Sequence, residues 1–190
     1  MSETIGPHIV TQPWVEDVLN FWFKEAGPDA WWTHKPELDA ICVKRFNGLW
    51  TEQRSASADD FLTRANVALA AILLFDQLPR NMFRGTAQAF VTDPLARDIA
   101  RGAISHGYDI QIGGAGRAFF YLPFEHSEER DDQALSLQLY TALGDPQIMT
   151  FAQKHHDIIA RFGRFPHRNA ALGRETRPEE EDAIAEGSGW

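Results

Sequence analysis

Apolar residues recur at intervals of three and four positions along almost the whole chain. The first clear example is the set Val15, Val18, Leu19, Trp22 and Phe23. This spacing places apolar side chains on one face of an α-helix, and that face must be buried. No segment shows a convincing alternation of apolar and polar residues, which is typical of a strand. The sequence therefore predicts an all-α fold.

Several helix ends carry local signals. Asp93 and Asp145 each precede a proline, which suits an N-cap followed by the first helical position, and Gly107 and Gly144 stand where a left-handed residue would close a helix. The predicted helices cover residues 13–26, 36–53, 59–77, 94–106, 115–129, 131–143 and 146–162, with a short helix after 166 and another from 177. Because the connections are short, successive helices are expected to pack as antiparallel neighbours, in a bundle or a stack of hairpins. A tetratricopeptide-like stack is compatible with this pattern, although no clean 34-residue repeat is present.

The chain has 190 residues, 44% of them apolar, which is enough for a single compact domain with a sizeable core over residues 1–190. Its formal net charge of −9 and isoelectric point near 5.2 argue against a nucleic-acid partner, because phosphate backbones bind basic surfaces. Residues 178–190 form an acidic tail that is expected either to fray or to dock through Trp190.

The only cysteine, Cys42, excludes an intramolecular disulfide and a multi-cysteine metal site. Its helical spacing from Leu38 and Phe46 predicts a small core residue. The first twenty residues lack the charged start and apolar run of a signal peptide. The longest apolar run, Val67 to Phe75, is far shorter than the roughly 18 to 20 residues that a membrane span needs. The sequence therefore predicts a cytoplasmic protein with no membrane partner.

Two segments place Arg-Asn just after a proline that is expected to interrupt a helix. The first segment runs from Asp76 to Gly85, and the second from Arg161 to Asn169. Guanidinium groups hold carboxylates and phosphates well, so two such segments facing each other would form an arginine-lined pocket. The predicted anion-binding residues are Arg80, Asn81, Arg84, Arg164, Arg168 and Asn169. The alternative is that these arginines satisfy free carbonyls at helix C-termini.

A third segment, Arg117 to Glu129, contains a proline within a helical pattern. Pro123 cannot donate a backbone hydrogen bond, so the helix is expected to kink or stop there. Glu125 and His126 follow directly, and a carboxylate and an imidazole held at such a break can act as acid and base. His167 is an alternative partner for Glu125. The structural alternative pairs Glu125 with an arginine and His126 with a backbone carbonyl.

Neither a metal nor a cofactor is predicted. His126 and Glu129 are three residues apart, but di-iron bundles need two such pairs and two further glutamates. The run from Gly113 to Gly116 has no preceding strand and no Lys-Ser/Thr partner, so it is expected to be a loop between helices. His155 lies on an apolar stripe and is expected to be a hydrogen-bonded core histidine.

The three segments together resemble the bacterial family called domain of unknown function 924. The matching motifs are Leu73 to Gly85, Tyr121 to Glu128 and Arg161 to Asn169, in that order, and the resemblance covers nearly the whole chain from Phe21 to about Glu180. It implies an all-helical, tetratricopeptide-like fold. It implies no activity and assigns no functional residue.

Our leading hypothesis is a protein that binds a small anionic metabolite in a concave pocket and, if it is an enzyme, performs hydrolytic acid/base chemistry. In this hypothesis the arginines hold the anion, Asn81 and Asn169 orient it, and Glu125 with His126 or His167 transfers a proton. The alternative is a helical-repeat scaffold whose groove binds an acidic peptide or a partner protein. The sequence does not indicate an oligomeric state.

Overall fold

The computed structural model describes residues 12–31 and 33–186. These residues form helices, turns and loops and contain no β-strand, so the predicted all-α class is confirmed. The α-helices are α1 (Pro13–Asn20), α2 (Pro28–Trp31), α3 (Pro36–Gln53), α4 (Ala65–Ile72), α5 (Leu78–Met82), α6 (Asp93–Ser105), α7 (Tyr108–Ile112), α8 (Gly114–Phe119), α9 (Leu122–Glu125), α10 (Arg130–Leu143), α11 (Pro146–Phe162) and α12 (Glu181–Glu186). Two π-helical segments lie at Phe21–Ala26 and Leu73–Gln77, and 3₁₀ turns lie at Ala58–Phe61, Ala87–Phe90, Pro166–Arg168 and Pro178–Glu180. The tetratricopeptide-like stack stays a prediction.

Helix α4 is the centre of the core. Every residue of α4 except Asn66 is buried, and α1, α6, α7 and α8 pack around it. A helix that is apolar on all sides must be surrounded by other elements. The helix predicted over residues 59–77 begins later than expected, at Ala65. Before it lies a separate 3₁₀ turn, which Ser57 and Asp60 cap.

The chain stays helical through Pro79, where an interruption was expected. The π-helical segment Leu73–Gln77 joins α4 to α5, so helical backbone continues to Met82. Pro79 cannot donate to the Phe75 carbonyl four residues earlier, and the Thr92 hydroxyl donates to that carbonyl instead, at 2.7 Å. This arrangement carries two polar side chains, Asp76 and Gln77, into the buried interior.

The helix predicted over residues 115–129 is broken near Pro123, as its sequence indicated. α8 ends at Phe119 and α9 begins at Leu122. The short α9 is almost fully buried, so Glu125 at its end lies inside the protein.

Helices α10 and α11 pack against each other across a short connection. Gly144 closes α10 in the left-handed conformation, at φ 77°, and the Asp145 side chain caps α11 by accepting from the amides of Gln147 and Ile148. Both signals were recognised in the sequence. This hairpin places His155 of α11 beside Glu125.

Cys42 is a free, buried core residue. No helix among residues 12–31 and 33–186 has the length and apolar character needed to cross a bilayer. The C-terminal segment is helical to Glu186, and Glu180 within it is buried. Trp190 lies outside the described residues.

Candidate functional site

Asp76 and His126 form a carboxylate–imidazole pair inside the protein. The Asp76 side chain is fully buried, and the Nδ1 atom of His126 lies 2.9 Å from both of its carboxylate oxygens. Burial alone would raise the pKa of Asp76, but the charge of Arg80 and the contact with His126 outweigh it and hold that pKa below its ordinary value. Asp76 is therefore ionised and accepts the hydrogen on Nδ1. The π-helical segment that carries Asp76 is a type of distortion often found at functional sites.

The lone pair of the His126 ring lies on its other nitrogen, Nε2. Burial and the charge of Arg80 lower the pKa of His126 despite the opposing effect of Asp76, so the ring is neutral near pH 7. Because Nδ1 carries the hydrogen, Nε2 is the acceptor. A carboxylate that fixes the tautomer of a neutral imidazole in this way prepares it to accept a proton.

Arg80 links this pair to helix α6. It donates to both carboxylate oxygens of Asp93 at 2.9 and 3.0 Å and to the Asp76 carbonyl at 2.5 Å. The bidentate contact is the strong form of an arginine–carboxylate pair. Arg80 is thus held by carboxylates of the protein itself.

Arg168 is buried without a comparable set of partners. Its side chain is 7% exposed, and its guanidinium carbon lies over the rings of Phe90 and Phe165, 4.7 and 4.4 Å from their centroids. The nearest carboxylate oxygen in an ion pair belongs to Asp93, 3.7 Å from Nη1. The Nε atom is buried and has no hydrogen-bond partner among the described residues.

The charge of Arg168 persists despite this burial. Burial and the neighbouring charge of Arg80 lower the pKa of Arg168 to about 10, which is still well above neutral pH. A buried cation with an unused N–H group is costly unless an acceptor completes it.

Glu125 and His155 form a second pair close to the first. Glu125 Oε1 lies 3.0 Å from His155 Nδ1, and Glu125 Oε2 is buried without a hydrogen-bond partner among the described residues. Burial raises the pKa of Glu125 to about 8 and lowers the pKa of His155 to about 3. Both side chains are therefore neutral at pH 7, and the ring of His155 is 6.1 Å from that of His126.

His167 lies at the exposed edge of this group of residues. Its ring centroid is 5.5 Å from that of Phe165. Partial burial and the charge of Arg168 lower the pKa of His167 to about 4. We call the whole group the Arg168 cluster, consisting of Asp76, Arg80, Phe90, Asp93, Glu125, His126, His155, Phe165, His167 and Arg168.

Five of the nine predicted site residues therefore lie together in the Arg168 cluster: Arg80, Glu125, His126, His167 and Arg168. Residues from all three sequence motifs meet there.

Asn81 and Arg84 lie elsewhere, against Asp39 of α3. Asn81 donates to Asp39 Oδ1 at 2.8 Å, and Arg84 donates to both Asp39 oxygens at 2.9 and 3.1 Å. Asp39 thus occupies the groups that were predicted to bind an anion. Their anion-binding role stays a prediction. The contacts join α3 to α5 and to the residues that follow α5.

Arg164 and Asn169 also lie apart, against Glu180. Arg164 Nε and Nη2 donate to Glu180 at 2.7 and 2.8 Å, and Asn169 Nδ2 donates to it at 2.9 Å. The amide of Arg177 donates to the same carboxylate at 3.0 Å. These contacts attach the C-terminal segment to the rest of the protein.

Comparison with known proteins agrees with the three sequence motifs. A family model described as "Bacterial protein of unknown function (DUF924)" matches residues 18–188. The chain belongs to this family. Among solved structures, a protein of unknown function, ATU0120 from Agrobacterium tumefaciens, is similar to it, with 43% sequence identity and a TM-score of 0.85 over 91% of this chain and 97% of that chain. No curated protein is significantly similar to the chain.

Membership of the DUF924 family supports the fold and supplies no reaction. Any function must therefore be argued from the geometry of the site.

Two clefts open on the surface away from the Arg168 cluster. One, of about 520 Å³, is lined by Arg164, Arg174, Glu175, Thr176, Arg177 and Pro178. The other, of about 230 Å³, is lined by Arg130, Gln133, His156, Ile159 and Ala160. Neither cleft is lined by Arg168 or His126.

Among the residues that the structure describes, no group of three or more histidine, cysteine, aspartate or glutamate side chains has the arrangement of a metal site.

Sequence analysis assigned no site role to Asp76, Asp93 or His155. Asp76 and Arg80 are four residues apart, a spacing that brings side chains together on a helix and could have indicated their pairing. Asp93 was interpreted as a helix cap, and nothing in its local sequence shows that Arg80 reaches it. His155 is the hydrogen-bonded buried histidine that was expected, with Nδ1 2.9 Å from the Phe151 carbonyl.

Proposed function

We propose that this protein binds a small anionic metabolite at the Arg168 cluster and transfers a proton to or from it through His126. Arg168 is the group that holds the anion. Arg80 and Asp93 position Arg168, and Asp76 fixes the tautomer of His126. The ligand's anionic group lies at the exposed edge of the Arg168 cluster, beside His167. The rest of the ligand extends towards solvent.

The unused binding capacity of Arg168 carries this proposal. Buried arginines are normally paired with carboxylates, as Arg80 is. Arg168 has a longer contact with Asp93, at 3.7 Å, and lies against two aromatic rings, with a buried Nε that lacks an acceptor among the described residues. An anion would supply that acceptor and stabilise the charge.

The proton-transfer role follows from the state of His126. A neutral imidazole with Asp76 on Nδ1 can accept a proton at Nε2 and is stabilised by that carboxylate once it is charged. Glu125, protonated at pH 7, is a proton donor near the same ring. A hydrolytic reaction would use His126 to activate water, in line with the hypothesis drawn from the sequence.

A thermal-shift screen of carboxylated and phosphorylated metabolites tests the binding proposal. Ligands that bind only the folded protein raise its stability by about 2.7 kcal/mol at 100 times their dissociation constant. A ligand that acts through Arg168 should lose at least about tenfold in affinity in Arg168→Met, which keeps an unbranched apolar side chain but removes the charge-assisted hydrogen bonds.

The matched control is Arg84→Ala, which removes an arginine that belongs to the same set of motifs but contacts Asp39. It should leave the affinity unchanged. A correctly folded Arg168→Met variant that binds the hit as tightly as the natural protein would refute the proposal. Turnover of a hit, if present, should be lost in His126→Gln while binding is retained.

An acidic peptide is a second candidate ligand, and the larger of the two clefts favours it. Three arginines, Arg164, Arg174 and Arg177, line that cleft, and the side chain of Arg177 is 49% exposed. Arg164 and Arg174 form short ion pairs with Glu180 and Glu128, at 2.7 and 2.8 Å. Arg177 makes a longer contact with Glu180, at 3.8 Å, and is therefore the most available of the three cations. Inclusion of acidic peptides in the same screen separates the two candidates, because a peptide in this cleft should lose affinity in Arg177→Ala and not in Arg168→Met.

A further inference from the structure

We infer that Gln133 is a positioning residue for His126, because its side-chain amide holds the backbone on both sides of that histidine. This inference rests on the proposed function, in which His126 accepts a proton at Nε2, and it adds the residue that keeps the His126 ring within reach of Asp76. Gln133 lies outside the Arg168 cluster and acts only through His126.

The Gln133 side chain reaches from α10 to the end of α9 inside the protein. It is 1% exposed, and its Nε2 atom donates to the carbonyls of Glu125 and Ser127, each at 2.7 Å. The Phe124 carbonyl lies farther from the same atom, at 3.4 Å. Because a carbonyl oxygen can only accept, these contacts fix which end of the amide faces α9. The two hydrogens of the amide nitrogen match the two short contacts.

Helix α9 is too short to hold His126 in place by itself. It consists of the single turn Leu122–Glu125, and a helix of this length depends on contacts with other elements. His126 follows at the C-cap, where carbonyl groups no longer have partners within the helix. Glu125 and Ser127 are the residues directly before and after His126. By holding both of their carbonyls, Gln133 restrains the backbone from which the imidazole ring projects.

The neighbouring residue of α10 restrains only one side of His126. Asp132 accepts from the Ser127 hydroxyl at 2.7 Å, so it holds the residue after the histidine. Gln133 reaches that residue and Glu125 before it. The positioning role therefore belongs to Gln133.

The position of the His126 ring decides which of its nitrogens carries the hydrogen. Nδ1 lies 2.9 Å from both oxygens of Asp76, and such a contact keeps the hydrogen on Nδ1 only while the ring stays within reach. A backbone movement of about 1 Å would stretch this contact beyond the hydrogen-bond range. Without the Gln133 amide, we expect the ring to populate the form with hydrogen on Nε2, which cannot accept a proton there.

The ¹⁵N signals of the histidine rings test this inference by NMR at neutral pH. A ring nitrogen that carries hydrogen has a different chemical shift from one that does not, so the spectrum reports the tautomer, and His126→Gln identifies the signals of His126. The natural protein should show the Nδ1–H form alone. Gln133→Met should lose this single form, with both signals shifted towards a mixture of the two tautomers.

Two controls separate positioning from a general loss of stability. Gln138→Met makes the same substitution at an exposed position of α10. Tyr108→Phe removes a donor to a backbone carbonyl far from the Arg168 cluster, that of Leu62 at 2.9 Å. Both variants should show His126 as in the natural protein. Should Gln133→Met fail to fold, Gln133→Asn keeps an amide one methylene shorter, which cannot reach both carbonyls, and the same shift is expected.

The outcomes distinguish this inference from the proposed function. A folded Gln133→Met or Gln133→Asn variant in which His126 keeps the Nδ1–H form alone overturns the inference and leaves the proposed function intact. An equal shift in Tyr108→Phe also overturns the inference, because a loss of stability alone would then move the ring. The Nε2–H form in the natural protein overturns both, since His126 could then not accept a proton at Nε2.

Discussion

Glu125 and His155 face each other as a carboxylic acid and a neutral imidazole, with 3.0 Å between Oε1 and Nδ1. The two residues come from different helices, α9 and α11, and each is less than a tenth exposed. Nδ1 also contacts the Phe151 carbonyl at 2.9 Å, so it carries the ring hydrogen. The two side chains do not form a carboxylate–histidine ion pair, because burial disfavours the charged form of each.

The raised pKa of Glu125 predicts a stability that falls as pH rises. The carboxyl group holds its proton more tightly in the folded protein, at a pKa of about 8, than in the unfolded chain, near 4.5. Its favourable contribution is therefore complete below pH 4.5 and is lost progressively up to pH 8, by at most about 1.4 kcal/mol per pH unit. Glu125→Gln cannot ionise, so its stability relative to the natural protein should increase between pH 5 and pH 8, as measured by urea unfolding.

Glu128→Gln provides the matched control, because the pairing with Arg174 lowers the pKa of Glu128. That variant should be the less stable protein at neutral pH, and the difference should shrink as pH falls below 4.5. Parallel stability curves for Glu125→Gln and the natural protein would show that Glu125 is ionised throughout this range.

The pH dependence of stability that Asp76 contributes has the opposite sign to that of Glu125. Its pKa is held below the unfolded value of 3.8 by Arg80 and His126 against the effect of burial, so its contribution is present above pH 4 and is lost as pH falls further. Removing one member of a buried ion pair typically costs about 3 to 5 kcal/mol. Asp76→Asn should therefore lower the free energy of unfolding by about 3 kcal/mol at pH 7 and by much less at pH 2.5, measured by denaturant titration.

Asp39→Asn tests whether burial explains the large loss of stability expected in Asp76→Asn. The Asp39 side chain is 18% exposed and its partner Arg84 is 42% exposed, so this loss should be about 1 kcal/mol or less. Equal losses for the two variants would contradict the central structural role given to Asp76.

Thr92 connects three elements through one hydroxyl group. It donates to the Phe75 carbonyl at 2.7 Å, and it accepts from the Trp50 indole at 3.2 Å. Thr92→Val keeps the shape of the side chain but leaves both buried groups without a partner, at a cost of about 1 to 3 kcal/mol each. We expect a loss of at least about 2 kcal/mol in urea unfolding.

Thr51→Val is the corresponding exposed substitution, because the Thr51 hydroxyl donates to the Asn47 carbonyl within its own helix. Its effect should stay within about 0.5 kcal/mol. A loss of that small size in Thr92→Val would mean that the Phe75 carbonyl is satisfied in another way.

The parts of this structure that the sequence predicted well depend on short-range signals. Helices α3 and α11 begin and end at the predicted residues. Both have proline at the first position, and Asp145 and the left-handed Gly163 cap the two ends of α11. The position of Glu125 at a helix break follows in the same way from Pro123. Buried α4 was recognisable from its apolar run.

The parts that the sequence missed depend on partners far along the chain. Arg84 and Asp39 are 45 residues apart, and the sequence around neither residue indicates that the two are paired. The arginine-rich motifs that suggested one pocket are therefore divided between separate places. Arg84 and Arg164 are paired with Asp39 and Glu180, whereas Arg168 has a buried Nε without a hydrogen-bond partner among the described residues. The continuation of the helix through Pro79 required the Thr92 hydroxyl, which comes from a separate segment.

The Glu180 carboxylate attaches the C-terminal segment to the rest of the protein. The carboxylate accepts from Arg164, Asn169 and the Arg177 amide. It thereby caps the 3₁₀ turn Pro178–Glu180, in which Pro178 occupies the first position. Glu180→Ala removes all of these contacts at once. Amide hydrogens of residues 174–186 should then exchange at least about tenfold faster by mass spectrometry, because local opening becomes easier, while those of α4 should be unchanged. The neighbouring exposed residue offers the control, and Glu179→Ala should exchange like the natural protein. Equal exchange in both variants would mean that packing of α12, and not the Glu180 carboxylate, holds the segment in place.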